Sequence, residues 1–318
     1  MPTGNDYINQ KQYNDNVRYI LRTMKYKQII GEKQAVAGVI EALLLVALVA
    51  IVISLIQLQY IPQIMEQREA EHMDEVSNQF SYLKSLIDIQ ALTGSMGTDV
   101  PLAYVPMMAQ ITLGSRELPY FITAPAFGEI SIHQDNGIQI ETNPSLSGGG
   151  THKNIFPLTS IKYDADNSYF VDQTYVLEGG GIILSQPDGS SVMRADPGIL
   201  INDSGQQINV RFYLPNIIGF AGKNSTYGTG KCFVRTNYSH YKTYSGPIHN
   251  FTIRSNYLNA WNESLNNLFG EEIYNSDVKV NITGNVVKMM SLKPETKPVY
   301  LEITVVDIFC QMGPGWII

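Results

Sequence analysis

The longest apolar run of the chain predicts a membrane-spanning helix. It extends from Ala35 to Tyr60, and no residue from Ala42 to Met65 carries a charged side chain. About 20 apolar residues in helical conformation span the hydrocarbon core of a bilayer. A helix in a soluble domain rarely stays apolar on every face. We therefore predict a transmembrane helix over residues 36–60, in preference to a buried core helix.

After Tyr60 the apolar residues become periodic, which predicts an amphipathic stalk helix over residues 61–92. Five apolar positions are spaced by 3, 4, 3 and 4 residues and so share one helix face: Met73, Val76, Phe80, Leu83 and Ile87. Pro62 lacks a backbone N–H, so we expect a kink there, and Thr93-Gly94 favours an end. We expect the apolar face to pack on the chain's own head domain, with a partner helix as the alternative.

From Pro101 the apolar period changes to two, which is typical of strands. Turn sequences predict four hairpins, around Asp135-Asn136-Gly137, Gly179-Gly180-Gly181, Asp203-Ser204-Gly205 and Thr283-Gly284-Asn285, with a further turn at Pro187-Asp188-Gly189. We also predict one long strand over Ser168–Glu178 and a final strand over Tyr300–Ile308.

One helix interrupts the predicted strands. Ser255 is a suitable N-cap and Gly270 a suitable end, and four apolar residues between them recur at helical spacing: Leu258, Trp261, Leu265 and Leu268. The predicted fold class is therefore α+β. A long N-terminal transmembrane and stalk helix precedes an antiparallel β-rich extracellular head, residues 93–318, with one packed helix.

The charges flanking the apolar run indicate its orientation. Six basic residues precede it, against three acidic ones: Lys11, Arg18, Arg22, Lys25, Lys27 and Lys33 against Asp6, Asp15 and Glu32. The nearest charges after it are mostly acidic: Glu66, Arg68, Glu69, Glu71, Asp74 and Glu75. Because the flank rich in Lys and Arg stays in the cytoplasm, we predict a cytoplasmic leader, residues 1–35, and a head outside the cell. A cleaved signal peptide is the alternative, but its apolar region is shorter and ends in small residues.

Exterior location bears on two kinds of residue. Six N-x-S/T sequons follow the apolar run: Asn202, Asn224, Asn237, Asn250, Asn262 and Asn281. We predict glycosylation of at least one of them, with chance occurrence of the motif as the alternative.

The two cysteines, Cys232 and Cys310, suggest one disulfide, with two buried free thiols as the alternative.

Motifs for chemistry are weak. The net charge of -7 and the lack of a long basic run argue against nucleic acid as a partner. Gly228-Thr229-Gly230-Lys231 precedes Cys232 and so fails the phosphate-loop pattern, and neither H-E-x-x-H nor G-x-S-x-G occurs. We expect the densest acidic group to be a solvated face, with a Ca²⁺ site at Asp164 and Asp166 as the alternative: Asp164, Asp166, Asp172 and Glu178. We therefore predict no cofactor, no metal and no enzymatic activity.

The stretch from Gln34 to Gln67, QAVAGVIEALLLVALVAIVISLIQLQYIPQIMEQ, resembles archaeal type IV pilin-like proteins. In that family a segment like R-A-V-S-x-V-I-G opens a continuous hydrophobic helix, and Gln34-Ala35-Val36-Ala37-Gly38-Val39-Ile40-Glu41 takes its place here. Weaker similarity to pilin-like surface proteins covers residues 163–190 and the helix around Trp261.

The resemblance implies a processing and assembly pathway. A prepilin peptidase cuts such chains on the cytoplasmic side, here at the Ala35–Val36 bond, although Gln34 stands where the family has a basic residue. The helices then bundle into a filament core. Glu41, at the sixth mature position, would pair with a neighbour's amine; the alternative is that it reaches toward the cytoplasmic interface.

The implied function is that of a minor pilin, pseudopilin or other filament component, with the lipid bilayer, a prepilin peptidase and other pilin-like subunits as partners. The alternative is a permanent single-pass surface protein whose head binds a ligand such as a glycan. An exterior hydrolase lacks any supporting motif.

Overall fold

The computed structural model describes residues 4–96, 105–115, 125–135, 139–143, 154–273 and 276–313, with the backbone alone for 4–11, 26–37 and 271–272. The chain forms two compact units, Met1–Gln63 and Ile64–Ile318. The class is α+β, as predicted.

Helices make up residues 4–95. They are α1 (Gly4–Leu55), a π-helical turn (Ile56–Tyr60) and α2 (Ile61–Ser95). The Ile61 N–H donates to the Ile56 carbonyl, five residues back. Pro62 explains this irregularity, because its ring removes one N–H and crowds the preceding carbonyls. The sequence predicts a kink at Pro62, and the structure has a π-helical turn on the N-terminal side of this residue.

Sixteen strands lie in the described part of the unit that begins at Ile64. They are β1 (Met107–Thr112), β2 (Phe127–His133), β3 (Gln139–Asn143), β4 (Asn154–Pro157), β5 (Ser160–Asp166), β6 (Thr174–Glu178), β7 (Gly181–Ser185), β8 (Val192–Ala195), β9 (Gly198–Asp203), β10 (Ile208–Gly219), β11 (Ser225–Gly228), β12 (Lys231–Ile248), β13 (Asn250–Arg254), β14 (Val278–Thr283), β15 (Val286–Ser291) and β16 (Val299–Met312). They form three sheets, ordered β1-β12-β16-β10-β9, β11-β2-β5-β6-β7-β8 and β14-β15-β13-β3-β4. The expectation of an antiparallel head needs one correction, since β10 and β16 pair in parallel.

The long strands of the first sheet run through two separate hydrophobic cores. On β16, Leu301 and Ile303 belong to one core, whereas Val306 and Ile308 belong to the other. Because successive residues point to opposite faces of a sheet, this change from odd to even positions means that the strand buries opposite faces in the two cores. One core is covered by α2 and the other by α3 (Leu258–Ile273).

The apolar stripe of α2 packs on the chain's own head, as expected, and not on a partner helix. All five predicted stripe residues are at most 2% exposed and lie in one core with Ile111, Tyr163 and Ile308. Residues 64–95 are consequently part of the head unit, and the predicted division between a stalk ending at residue 92 and a head starting at residue 93 is not a structural boundary. The helix also runs slightly further than predicted, to Ser95.

Most predicted hairpins form, and one does not. β6 pairs with β7, β9 with β10, and β14 with β15, as the turn residues between them predict. The predicted hairpin around residues 135–137 is wrong: β2 pairs with β5 and β11, whereas β3 pairs with β4 and β13 in another sheet. Residues 136–138 of that turn lie outside the described residues.

The strand predicted over Ser168–Glu178 covers only Thr174–Glu178. The final strand predicted over Tyr300–Ile308 is present and longer. α3 begins within three residues of Ser255, whose Oγ accepts a hydrogen bond from the Tyr257 N–H at 3.0 Å. Its regular part stops before Gly270, whose φ of 66° lies in the left-handed region that glycine tolerates.

Candidate functional site

The apolar part of α1 presents bare hydrophobic side chains on all its faces. Every residue from Gly38 to Leu55 is exposed. By length and composition, the helical stretch Gly38–Ser95 could cross a membrane, and none of its most apolar 18-residue window is buried. That exposure contradicts the alternative of a buried core helix. The one hydroxyl in the run, on Ser54, donates to the Ala50 carbonyl at 2.8 Å and so has a partner without water.

The residues predicted to serve processing and assembly lie on the same helix. Glu41 is exposed and follows Gly38 by less than one helical turn. Ala35 and Val36 are within the helical backbone of α1, and their side chains lie outside the described residues.

A buried carboxylate on α2 holds the loop between β5 and β6. Glu69 is fully buried, and its two oxygens accept from three consecutive backbone N–H groups, those of Ser168 (3.2 Å), Tyr169 (2.7 Å) and Phe170 (2.7 Å). Hydrogen bonds to an ionised acceptor are stronger than neutral ones. This contact explains why the predicted strand from Ser168 is a loop, since its N–H groups bind the helix instead of a neighbouring strand.

His72, one turn after Glu69, lines a polar groove of about 580 Å³ between α2 and the start of β12. Its Nε2–H donates to the Thr112 carbonyl at 3.0 Å, so Nδ1 carries the lone pair. Burial lowers the pKa of His72, partly offset by the bond to Thr112 and by Glu75 and Glu69. The opposing charges of Arg68, Glu71 and Glu75 also line this groove, which therefore selects no single ligand charge.

Glu178 lies beneath α3 rather than on a solvated face, so its assignment to that face was wrong. It is fully buried, and its Oε1 accepts from Ser255 Oγ at 2.6 Å and Trp261 Nε1 at 2.7 Å. Its Oε2 is buried with no hydrogen-bond partner in the described part of the chain. Burial raises the pKa of Glu178 to about 7, against the lowering effect of its two donors.

The other three carboxylates of that predicted face are partly or fully exposed. Asp164 accepts from Thr174 Oγ1 and pairs with Lys162, and Asp172 accepts from the Asn167 N–H. Across the residues that the structure describes, no cluster of three His, Cys, Asp or Glu side chains could hold a metal ion. The Ca²⁺ alternative at Asp164 and Asp166 therefore gains no support.

The six sequons differ in accessibility. Asn202 and Asn224 are exposed, whereas Asn237, Asn250, Asn262 and Asn281 are half-buried. Asn262 lies on α3 and the adjacent Trp261 is fully buried. Trp261 is consequently not an exposed aromatic residue that could bind a sugar.

The predicted Cys232–Cys310 bridge is not formed; both cysteines are free and buried. Strand register gives the reason. Cys310 lies opposite Thr236, which is four residues from Cys232 along β12. Four strand residues span about 13 Å, whereas a disulfide needs Cα atoms within about 7 Å. Burial raises the pKa of both thiols and so disfavours the reactive thiolate.

No family model, no curated protein and no solved structure matches this chain. The resemblance to pilin-like proteins therefore rests on sequence segments alone: residues 34–67 and, more weakly, residues 163–190 and the helix around Trp261.

Proposed function

We propose that this chain is a membrane-anchored, non-enzymatic surface protein of the archaeal type IV pilin-like kind, acting as a minor pilin, a pseudopilin or another filament component. The head faces out of the cell, because the basic flank of the apolar helix precedes it. After removal of residues 1–35, the helix starting at Val36 packs against the same helix of other copies, either within the bilayer or in a filament core outside it.

The exposed apolar surface of Gly38–Leu55 is the observation that carries this proposal. The apolar stripe of α2 is no evidence for assembly into a filament, because the head already covers it. Residues 38–55 have no such cover from the described part of the chain. Only lipid or other apolar helices can remove their side chains from water.

Glu41 gives the proposal its specific test. A carboxylate inside an apolar bundle is costly unless it is paired, and cleavage at Ala35–Val36 would create an amine within one or two helical turns of it. Replacing Glu41 with Gln removes the charge and keeps the shape. We expect Glu41→Gln to insert into the membrane normally and to reduce the yield of assembled filament about tenfold or more. The reason is that the amine created by cleavage would lose its partner, and an unpaired buried charge costs several kcal/mol.

The matched control is Glu66→Gln, which removes an exposed charge beyond the apolar run. Both variants are expressed in the native host, extracted at alkaline pH to measure insertion, and sheared from cells to measure filaments. Equal filament yield from both variants would contradict the assembly role of Glu41.

A permanently anchored binding module is the second candidate. One groove favours it, about 360 Å³ on the outer face of β9, β10 and β16, where Tyr300 adjoins Asn209, Arg211 and Glu302. Such polar groups beside an aromatic ring suit a sugar or a short peptide. This candidate requires an uncleaved N-terminus, which distinguishes it from the first.

A further inference from the structure

A pair of phenyl rings lies beside the first sheet: Phe220, which is exposed and directly follows β10, and Phe309 of β16, which is half-buried. The ring centroids of Phe220 and Phe309 are 5.5 Å apart, and Phe220 is 41% exposed. An apolar ring that is exposed to water is stabilised by a group that covers it. The strand pairing indicates what that is, because Asn237 lies directly opposite Phe309. Directly opposite residues of an antiparallel pair share a face, with Cβ atoms about 5 Å apart.

Asn237 begins the sequon Asn237-Tyr238-Ser239, and the backbone is irregular at this point. The register between β12 and β16 shifts between Tyr238 and His240, so Ser239 is an extra residue left out of the ladder. The Oδ1 of Asn237 is buried with no hydrogen-bond partner in the described part of the chain. N-glycosylation modifies the other atom of this amide, Nδ2.

The other five sequons have no aromatic residue directly opposite. Asn202 faces Asn209, Asn281 faces Lys288, and Asn250 lies between Asn143 and Met290. Asn224 precedes β11 and Asn262 lies on α3, so neither is in a strand pair. Among the described strand pairs, Asn237 is therefore the sequon asparagine directly opposite an aromatic residue.

We propose that Asn237 carries an N-linked glycan whose first sugar covers the rings of Phe309 and Phe220. This inference rests on the proposed exterior location of the head. In the modification, Nδ2 bonds to the anomeric carbon of a pyrophosphate-linked oligosaccharide donor. The bond from that carbon to the phosphate oxygen breaks, and Nδ2 loses one proton, with no change in oxidation state. The apolar face of the sugar then removes ring surface from water.

The test is mass spectrometry of the tryptic peptide 236–242 from protein taken from native cells, because that peptide contains a single sequon. We expect a glycan on Asn237. Peptides 195–211 and 280–288, which carry Asn202 and Asn281, serve as internal comparisons. An unmodified 236–242 peptide overturns the inference, whether or not the other sequons are modified.

Contact between sugar and rings is tested by thermal unfolding of four full-length proteins: wild type, Asn237→Gln, Phe309→Leu and the double variant. We expect loss of the glycan to lower the Tm by about 2–4 °C with Phe309 present and to change it little in the Phe309→Leu background. Phe233→Leu is the control, four residues from Asn237 on the same strand. Equal Tm losses in both backgrounds overturn the covering role.

Protease treatment of intact cells separates this inference from the proposed function. A head that is digested but lacks a glycan at Asn237 refutes only the inference. A head protected from protease refutes the exterior location itself.

Discussion

Replacing Glu178 with Gln is expected to change how the stability of the head depends on pH. In the folded protein burial raises the pKa of Glu178 from 4.5 to about 7. Between these two values the folded state holds a proton that the unfolded state has released, so stability falls as pH rises. The stabilising effect of protonation is complete below pH 4.5 and is lost as the pH passes through about 7.

The magnitude follows from the size of the shift. Each pKa unit corresponds to about 1.4 kcal/mol, so the carboxyl contributes about 2.5 kcal/mol of difference between pH 5 and pH 8. A glutamine does not titrate, and its carbonyl can still accept from Ser255 and Trp261. We therefore expect the difference in unfolding free energy between wild type and Glu178→Gln to change by about 2.5 kcal/mol across this range, with the variant favoured at pH 8.

Other groups titrate near this window, and the subtraction removes them. Burial lowers the pKa of His72 from 6.5, so its contribution to the stability of the head increases as the pH rises toward 6.5. This change is opposite in sign to that of Glu178. Hydrogen bonds from Lys293 and Lys297 lower the pKa of Asp277, whose contribution is lost only below about pH 4. Both effects are common to the wild type and the variant.

The assay is urea unfolding of the detergent-solubilised full chain at pH 5, 6, 7 and 8, followed by the fluorescence of its two tryptophans, Trp261 and Trp316. Glu263→Gln is the control, since Glu263 is an exposed carboxylate on α3, the helix that covers Glu178. A difference between wild type and Glu178→Gln that is constant with pH would refute the burial of an ionisable group beneath α3.

Three further predictions concern the packing of the head. Phe80→Ala should destabilise it by about 3–5 kcal/mol in urea unfolding, because this ring is fully buried, whereas Tyr82→Ala, 55% exposed on the other side of α2, should cost under about 1 kcal/mol; equal losses would contradict the packing of the stripe. Glu69→Gln should speed hydrogen exchange of the Ser168–Phe170 amides relative to Glu66→Gln, because one carboxylate oxygen becomes a donor facing N–H groups; unchanged exchange would exclude the clamp. Cys232 and Cys310 should resist alkylation in native protein and should both react in urea. If mass spectrometry showed that they stay unalkylated in urea without reductant, they would form a disulfide instead.

Features of the fold that depend on nearby residues could be predicted from the sequence. The stripe of α2 is visible because its period is local, and the β6–β7 and β9–β10 hairpins are visible because Gly179-Gly180 and Ser204-Gly205 favour tight turns. Gly179, Gly180 and Gly205 all adopt positive φ. These elements needed no knowledge of distant partners.

Features that depend on distant partners could not be predicted in this way. β2 and β3 are neighbours in sequence, yet each pairs with strands far along the chain. The 18-residue β12 lacks a clear alternation of apolar and polar residues, because its two halves border different cores and a bulge shifts its phase. Glu178 gave no local sign of burial, since its donors are 77 and 83 residues away.

The mature N-terminus of the protein tests the proposed function most directly. Intact-mass analysis and N-terminal sequencing would be applied to protein sheared from the native cell surface. The pilin-like account predicts a chain that begins at Val36, with residues 1–35 removed. A surface protein that still begins at Met1 would contradict it and leave a permanent membrane anchor in its place.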